Sequence, residues 1–183
     1  MKSLKLTEEM IEIQLASLCL DRTIKEIQHG HRIYQVIGKE INPEEIVKEV
    51  LLTDHNGNRI GYFTGASFLR SLGIDGRTDA IGFISNVYKG KTKAHFILDG
   101  IRCNATGPKY GDVNEGNYAI LQIISWTIGS AFTLKNKEVV QQVLTYMREK
   151  NLSDRDIEPY REMLTIMTVK RYLKLVELMK EID

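Results

Sequence analysis

Residues 117–132 read NYAILQIISWTIGSAF and are mainly apolar. Apolar residues fall on nearly every face of the helix that it predicts, and such a helix belongs at the centre of a core. The chain is strand-rich over about residues 32–106 and helical over about residues 114–182, so both regions must pack around this helix. No repeat or linker divides the chain. The sequence therefore predicts one α+β domain over residues 1–183.

Turn-forming residues divide the strand-rich region into hairpins. Asn56-Gly57 separates two apolar runs, and this dipeptide tolerates the positive backbone angles of a tight turn. Lys89-Gly90-Lys91-Thr92 separates the next two runs and predicts a second hairpin. The expected strands are 32–37, 50–53, 59–64, 81–88, 94–98 and 101–105. We expect an antiparallel, hairpin-rich sheet packed by the central helix and by the N- and C-terminal helices.

Capping residues mark the predicted helices. Thr7 and Asn42 are good N-caps, and each is followed by acidic residues in the first turn. Pro159 suits the first position of the final helix, because its missing N–H would have no helical partner there. The predicted helices are 7–28, 42–49, 65–72, 117–132 and, with breaks at 152–154 and before Pro159, 137–182.

Composition and charge exclude several protein classes. The chain has 183 residues, of which 43% are hydrophobic and 27% charged, which excludes disorder and collagen. A net charge of +1 gives no strong field for nucleic acid or an anionic membrane, so neither is an expected partner. No apolar run reaches the length of a membrane span. With only Cys19 and Cys103, the chain is typical of a reducing cytoplasm.

Two candidate chemistries rest on single residues or pairs. His29 and His31 flank a glycine and are a candidate pair of metal ligands, but zinc needs three or four protein ligands, so we expect no metal and no cofactor. Cys103 follows Arg102, and a neighbouring guanidinium lowers the pKa of a thiol. No local pattern ties a base to Cys103, and we expect no catalytic residue. The glycine motifs of dinucleotide and P-loop sites are absent.

The basic middle of the chain is the candidate binding region. Residues 70–109 hold seven Lys or Arg and three Asp, a local charge of +4. Residues 102–118 combine cations for an anion, amides for polar edges and tyrosines for a flat ring. The same residues also suit a long loop whose Asn and Gly satisfy turn geometry. The candidate ligand-binding residues are Arg77, Arg102, Asn104, Thr106, Lys109, Tyr110, Asn114, Asn117 and Tyr118.

These observations predict a small cytoplasmic, non-enzymatic binding or regulatory protein for a nucleotide-like or other anionic small molecule. The absence of family motifs suits a fast-evolving accessory protein, such as a phage-type inhibitor or a sequestering protein. One alternative is a protein-interaction module that acts through its C-terminal helix and a dimer interface. Another is a small enzyme that depends on a thiol or a histidine. The wide apolar band from Met163 to Ile182 predicts a homodimer or a higher closed assembly.

Overall fold

The computed structural model describes residues 7–28, 33–40, 42–74, 80–91, 93–129 and 132–181. The helices are α1 (Glu8–Leu20), α2 (Pro43–Ile46), α3 (Gly65–Ser71), α4 (Tyr118–Ile128), α5 (Lys137–Glu149) and α6 (Ile166–Glu181). The strands are β1 (Ile24–Gln28), β2 (Ile33–Val36), β3 (Gly61–Phe63), β4 (Ala80–Ser85), β5 (Ala94–Leu98) and β6 (Ile101–Thr106). A π-helical turn, Val47–Leu51, continues α2, and 3-10 turns cover Asn86–Tyr88 and Glu158–Met163. The α+β class is confirmed.

The strands form two sheets, and the larger one is mixed. β1 and β2 form an antiparallel ribbon, while the four-stranded sheet has the order β3-β4-β6-β5. β4 runs parallel to β6, whereas β3 pairs antiparallel with β4 and β5 antiparallel with β6. The predicted pairing of runs 81–88 and 94–98 is therefore wrong, because β6 lies between them. The hairpin joins β5 to β6 through Asp99-Gly100, whose φ angles of 46° and 82° suit a two-residue turn.

The mixed sheet has a core on each face. On one face α4 packs with Tyr62, Phe68 and the two C-terminal helices. Eight of the eleven residues of α4 are buried, which confirms the prediction of a central helix. On the other face, apolar residues of β4, β5 and β6 pack against the π-helical turn around Val47 and Leu51. No helix in the described part of the chain is both long and apolar enough to cross a bilayer.

The helices predicted at the two ends of the chain are present, but their bounds differ from the predicted ones. The Thr7 cap is confirmed, since Met10 N–H donates to Thr7 Oγ1 at 3.3 Å. However, α1 ends before Arg22, whose φ of 55° breaks the helix, and residues 24–28 instead form β1 against β2. Pro159 lies in a 3-10 turn, and the extended Leu164 separates that turn from α6.

The turn of the first predicted hairpin is present, but one of its two predicted strands is not. Gly57 has a φ of 83°, and backbone hydrogen bonds join Asp54 to Asn58 and Ile60 to Leu52. Only an isolated bridge, Thr53 to Arg59, continues the pairing. The predicted strand 50–53 is wrong because the helical turn there buries both Leu51 and Leu52.

Candidate functional site

Three of the predicted ligand residues lie on one face of the mixed sheet. Arg102, Asn104 and Thr106 alternate along β6 with Cys103 and Ala105, and alternate residues of a strand point to opposite faces. Cys103 and Ala105 are buried, with 0% and 1% exposure, on the opposite face. Arg102 is exposed, and Asn104 and Thr106 are half-buried. The strand therefore presents part of the predicted site as a row of polar side chains.

The strand register extends this row into a small grid. Residues paired directly across neighbouring strands point to the same face, and the strands lie about 5 Å apart. We call the following six residues the cross-strand face. Its first row is Ala80, Arg102 and Ile97, and its second row is Gly82, Asn104 and His95. The central strand thus carries the polar pair, with small residues on one side and β5 side chains on the other.

A cleft of about 190 Å³ opens over the small residues of the face. It is lined by Thr64, Gly65, Ala66, Ser67, Ala80, Gly82 and Asn104. Gly82 helps to keep it open, since a Cβ there would lie 3.1 Å from Thr64 Oγ1. Pockets for whole drug-sized ligands measure about 300–1,000 Å³, so this cleft suits a group of the size of phosphate.

Hydrogen bonds hold the wall of the cleft rigidly. Ser67 Oγ, on a residue 1% exposed, accepts from Gly82 N–H at 3.0 Å and from Arg70 Nη2 at 2.9 Å. Arg70 also donates to Ala80 O at 3.1 Å and forms an ion pair with Glu44 at 2.6 Å. The guanidinium of Arg70 is therefore neutralised, and it ties α3 to β4 and to α2.

The chain enters α3, beside the cleft, through a turn whose backbone conformation glycine allows. Gly65, the first residue of α3, has a φ of 55°, in the left-handed region that side chains disfavour. Thr64 N–H donates to Gly82 O at 2.9 Å immediately before it. As a result, the chain leaves β3, passes over β4 and begins α3 beside the cleft.

Two side chains of the cross-strand face can donate to an anion: Asn104, which lines the cleft, and Arg102, which is paired across the strands with the lining residue Ala80. Among the described residues, Arg102 forms no ion pair, so its charge is not neutralised. Asn104 Oδ1 lies 2.8 Å from His95 Nδ1, which orients the ring and the amide. When Nδ1 donates that bond, the amide N–H groups of Asn104 remain to donate to a ligand.

The rest of the predicted segment lies at the other end of the sheet. Arg102 stands about 13 Å from Thr106 along the extended strand, at the start of β6. Beyond β6, Gly107 N–H donates to Lys91 O at 3.3 Å. Lys109 Nζ lies 5.5 Å from the centre of the Tyr110 ring. The structure therefore does not bring the predicted cations Arg102 and Lys109 together.

Tyr110 contributes to the helical core. It is half-buried and packs against the core cluster around α4. Tyr110, whose hydroxyl acts together with burial and the Tyr160 hydroxyl to raise the pKa of Tyr62, packs in the same cluster as Tyr62. Its ring is thus packed within the protein.

The loop asparagines bind the loop's own backbone. Asn114 Oδ1 accepts from Gly116 N–H at 2.9 Å. Asn117 Oδ1 accepts from Asn114 N–H at 2.8 Å, and its Nδ2 donates to Asp112 O at 2.9 Å. Asn114 and Asn117 therefore stabilise the turns of the loop, which is the alternative role that the sequence predicted for them.

Two cations lie close to the Tyr118 ring, and the sequence analysis did not predict either contact. Arg59 lies 4.9 Å from its ring centre and Lys150 lies 5.5 Å from it. These residues come from the segment before β3 and from the end of α5. Arg77, together with His29 and His31 of the metal hypothesis, lies outside the described residues.

Cys103 has the surroundings of a core thiol. It packs among apolar residues on the face of the sheet that contacts the π-helical turn, and burial raises the pKa of its thiol to about 11. The imidazole of His95 belongs to the opposite face of the sheet. Within the described ranges, no group of three or more His, Cys, Asp or Glu gathers to hold a metal.

Sequence reasoning missed Thr64, Gly82 and His95 as neighbours of Asn104. One local signal pointed to Gly82, because an isolated glycine within a strand often marks a close approach of other backbone. The chain matches no protein-family model, no curated protein and no solved structure. Geometry therefore carries the functional argument alone.

Proposed function

We propose that this protein is a non-enzymatic binding protein for a nucleotide-like or similar small anion, which it holds on the cross-strand face. The anionic group occupies the cleft beside Gly82. The observation that carries the proposal is the exposed side chain of Arg102, which has no ion pair among the described residues and stands one row along β6 from Asn104, a residue that lines the cleft. Binding without turnover suits a regulatory or sequestering role, such as that of a phage-type inhibitor.

The geometry favours an anion for two physical reasons. A charged hydrogen bond contributes about 1.5–3 kcal/mol, so Arg102 accounts for about a 10- to 100-fold change in affinity. The wall formed by Arg70, Ser67 and Gly82 is already hydrogen-bonded, so the ligand need not order it. We also propose a cytoplasmic location, since both cysteines are free thiols.

Calorimetry with inorganic phosphate and with a nucleoside monophosphate tests this proposal. Arg102→Ala should weaken binding of both ligands about tenfold or more. Gly82→Ala should also weaken binding, because its methyl enters the cleft. Lys109→Ala is the matched control, as it removes the same charge at the other end of the sheet and should leave affinity unchanged. Equal binding by wild type and Arg102→Ala, or no binding by wild type, contradicts the proposal.

A second candidate function, self-association, is favoured by α1. This helix buries none of its residues, and its exposed large apolar residues are Met10, Ile11, Ile13, Leu18 and Leu20. Beside it lies a mainly apolar groove of about 610 Å³, lined by Glu12, Leu15, Ala16, Cys19 and Leu20 of α1 and by Glu26 and Tyr34 of the β1-β2 ribbon. We propose a second copy of the chain as the occupant, since a two-fold axis would let the exposed side of each α1 fill the groove of the other.

The C-terminal helix is less suited to that interface than its apolar band predicted. α6 packs against α4 and α5, and Tyr172, Leu175 and Val176 are buried there. The exposed apolar residues at its N-terminal end are Ile166 and Met167. The homodimer stays a prediction, and we propose α1 as its main contact.

A further inference from the structure

His95 and Ile97 form the outer edge of the cross-strand face. Both are exposed, Ile97 at 65%, and they stand two residues apart on β5, so they share the face. β5 is an edge strand of the mixed sheet. Edge strands usually carry charged residues that discourage contact, whereas this face of β5 presents an imidazole and a branched aliphatic side chain. Such a pair offers a surface on which a flat ring can lie.

The spacing of the strands sets the length of the ligand. Gly82 and His95 lie on strands that are two strand spacings apart, and so do Ala80 and Ile97. The distance between the two outer strands is therefore about 10 Å. The cleft lies at one end of this distance, and the β5 side chains lie at the other. Arg102 and Asn104 stand between them. A ligand that uses the whole face therefore has its anion about 10 Å from its apolar or planar end.

The small number of cations on the cross-strand face limits the anionic end of the ligand to a single charged group. Arg102 is the one Lys or Arg of the cross-strand face, and the cation beneath the cleft, Arg70, is already paired with Glu44. The cleft volume of about 190 Å³ suits one phosphate-sized group. A chain of several phosphates would bring additional negative charge without a cation of this face to meet it.

We infer that β5 supplies the second half of the site, and that the ligand is a nucleoside monophosphate or a molecule of the same form, with one anionic group and one flat ring. This inference rests on the proposed function, because it places the anion in the same cleft. His95 stacks on the ring, held in position by Asn104, and imidazoles are among the side chains that stack on bases. Ile97 contacts the ring beside it.

The test compares inorganic phosphate, a nucleoside monophosphate and the corresponding triphosphate in calorimetric titrations. The variants are His95→Ala, His95→Gln, Ile97→Ala and Arg102→Ala, and melting temperatures check that each is folded. His95→Gln separates loss of the ring from loss of the bond to Asn104. Val87→Ala is the matched control for Ile97→Ala, since Val87 is also exposed, at 45%, and lies outside the face.

We expect wild type to bind the monophosphate about tenfold more tightly than phosphate, and no less tightly than the triphosphate. All substitutions at His95 and Ile97 should reduce that preference. Ile97→Ala should leave phosphate binding unchanged, whereas His95→Ala, which removes the bond that orients the Asn104 amide, should weaken phosphate binding more than His95→Gln does. An unchanged preference, with Arg102→Ala still weakening phosphate binding, overturns the inference and leaves the proposed function standing. Tighter binding of the triphosphate also overturns it. Loss of the Arg102 effect on phosphate overturns both proposals.

Discussion

Asn86 holds the loop after β6 against the end of β4, and its removal should destabilise the whole domain. Its Nδ2 donates to Val113 O at 2.8 Å, and its Oδ1 accepts from Val113 N–H at 2.9 Å. Val113 is 2% exposed, so water hardly reaches these backbone groups. Asn86→Ala therefore leaves a buried donor and a buried acceptor without partners.

The expected loss follows from those two groups. A buried polar group that loses its partner costs about 1–3 kcal/mol, so two of them reduce the free energy of unfolding by about 2–4 kcal/mol after partial relaxation. Asn114→Ala is the control in the same loop. Its side chain is exposed and makes one local bond, to Gly116 N–H, so the loss should be about 1 kcal/mol or less.

Urea unfolding of the two variants measures the difference. The midpoint should fall for Asn86→Ala with an unchanged slope, because the surface exposed on unfolding stays the same. Phosphate affinity should not change, since Arg102 lies at the opposite end of the parallel pair β4 and β6. If Asn86→Ala and Asn114→Ala lower stability equally, the buried clamp is not the cause and this reasoning fails.

Three further predictions concern the thiol, the helices and a close contact. Cys103 should resist thiol reagents at neutral pH until the protein unfolds, because burial raises its pKa to about 11; rapid labelling of the folded protein would refute this. Leu175→Glu should unfold the chain, as Leu175 is 0% exposed, whereas Ile13→Glu should stay folded in circular dichroism and sediment as a monomer. A dimeric Ile13→Glu variant would refute the α1 interface. Gly107→Ala should lower the melting temperature, because its Cβ would lie 2.3 Å from Tyr88 O; an unchanged melting temperature would contradict that contact.

Local signals in the sequence predicted the parts of the fold that local physics determines. The Thr7 cap, the turn at Asn56-Gly57 and the buried helix α4 each depend on a few neighbouring residues. The pairing of β4 with β6 depends on residues about 20 positions apart, and a periodic pattern does not encode which strands meet. The Asp99-Gly100 turn was a readable hairpin signal that pointed to the correct partner of β5.

From the sequence, only the part of the candidate site that lies on β6 could be predicted. Period-two alternation places Arg102, Asn104 and Thr106 on one face without knowledge of the tertiary structure. Thr64 and Gly82 come from other elements, so only the fold shows that they meet Asn104. Asn and Tyr side chains of the following loop have the same chemistry whether they bind a ligand or their own backbone. Their hydrogen-bond partners in the fold distinguish the two roles.

A titration of amide NMR signals with inorganic phosphate determines whether an anion occupies the cleft over Gly82. We expect the largest shifts at Gly65, Gly82 and Asn104, while Gly111 of the distal loop stays unchanged. Arg102→Ala should suppress those shifts at the same phosphate concentration. If the largest shifts occur at Gly111 and its neighbours and the Gly82 signal does not move, the anion does not bind in the cleft.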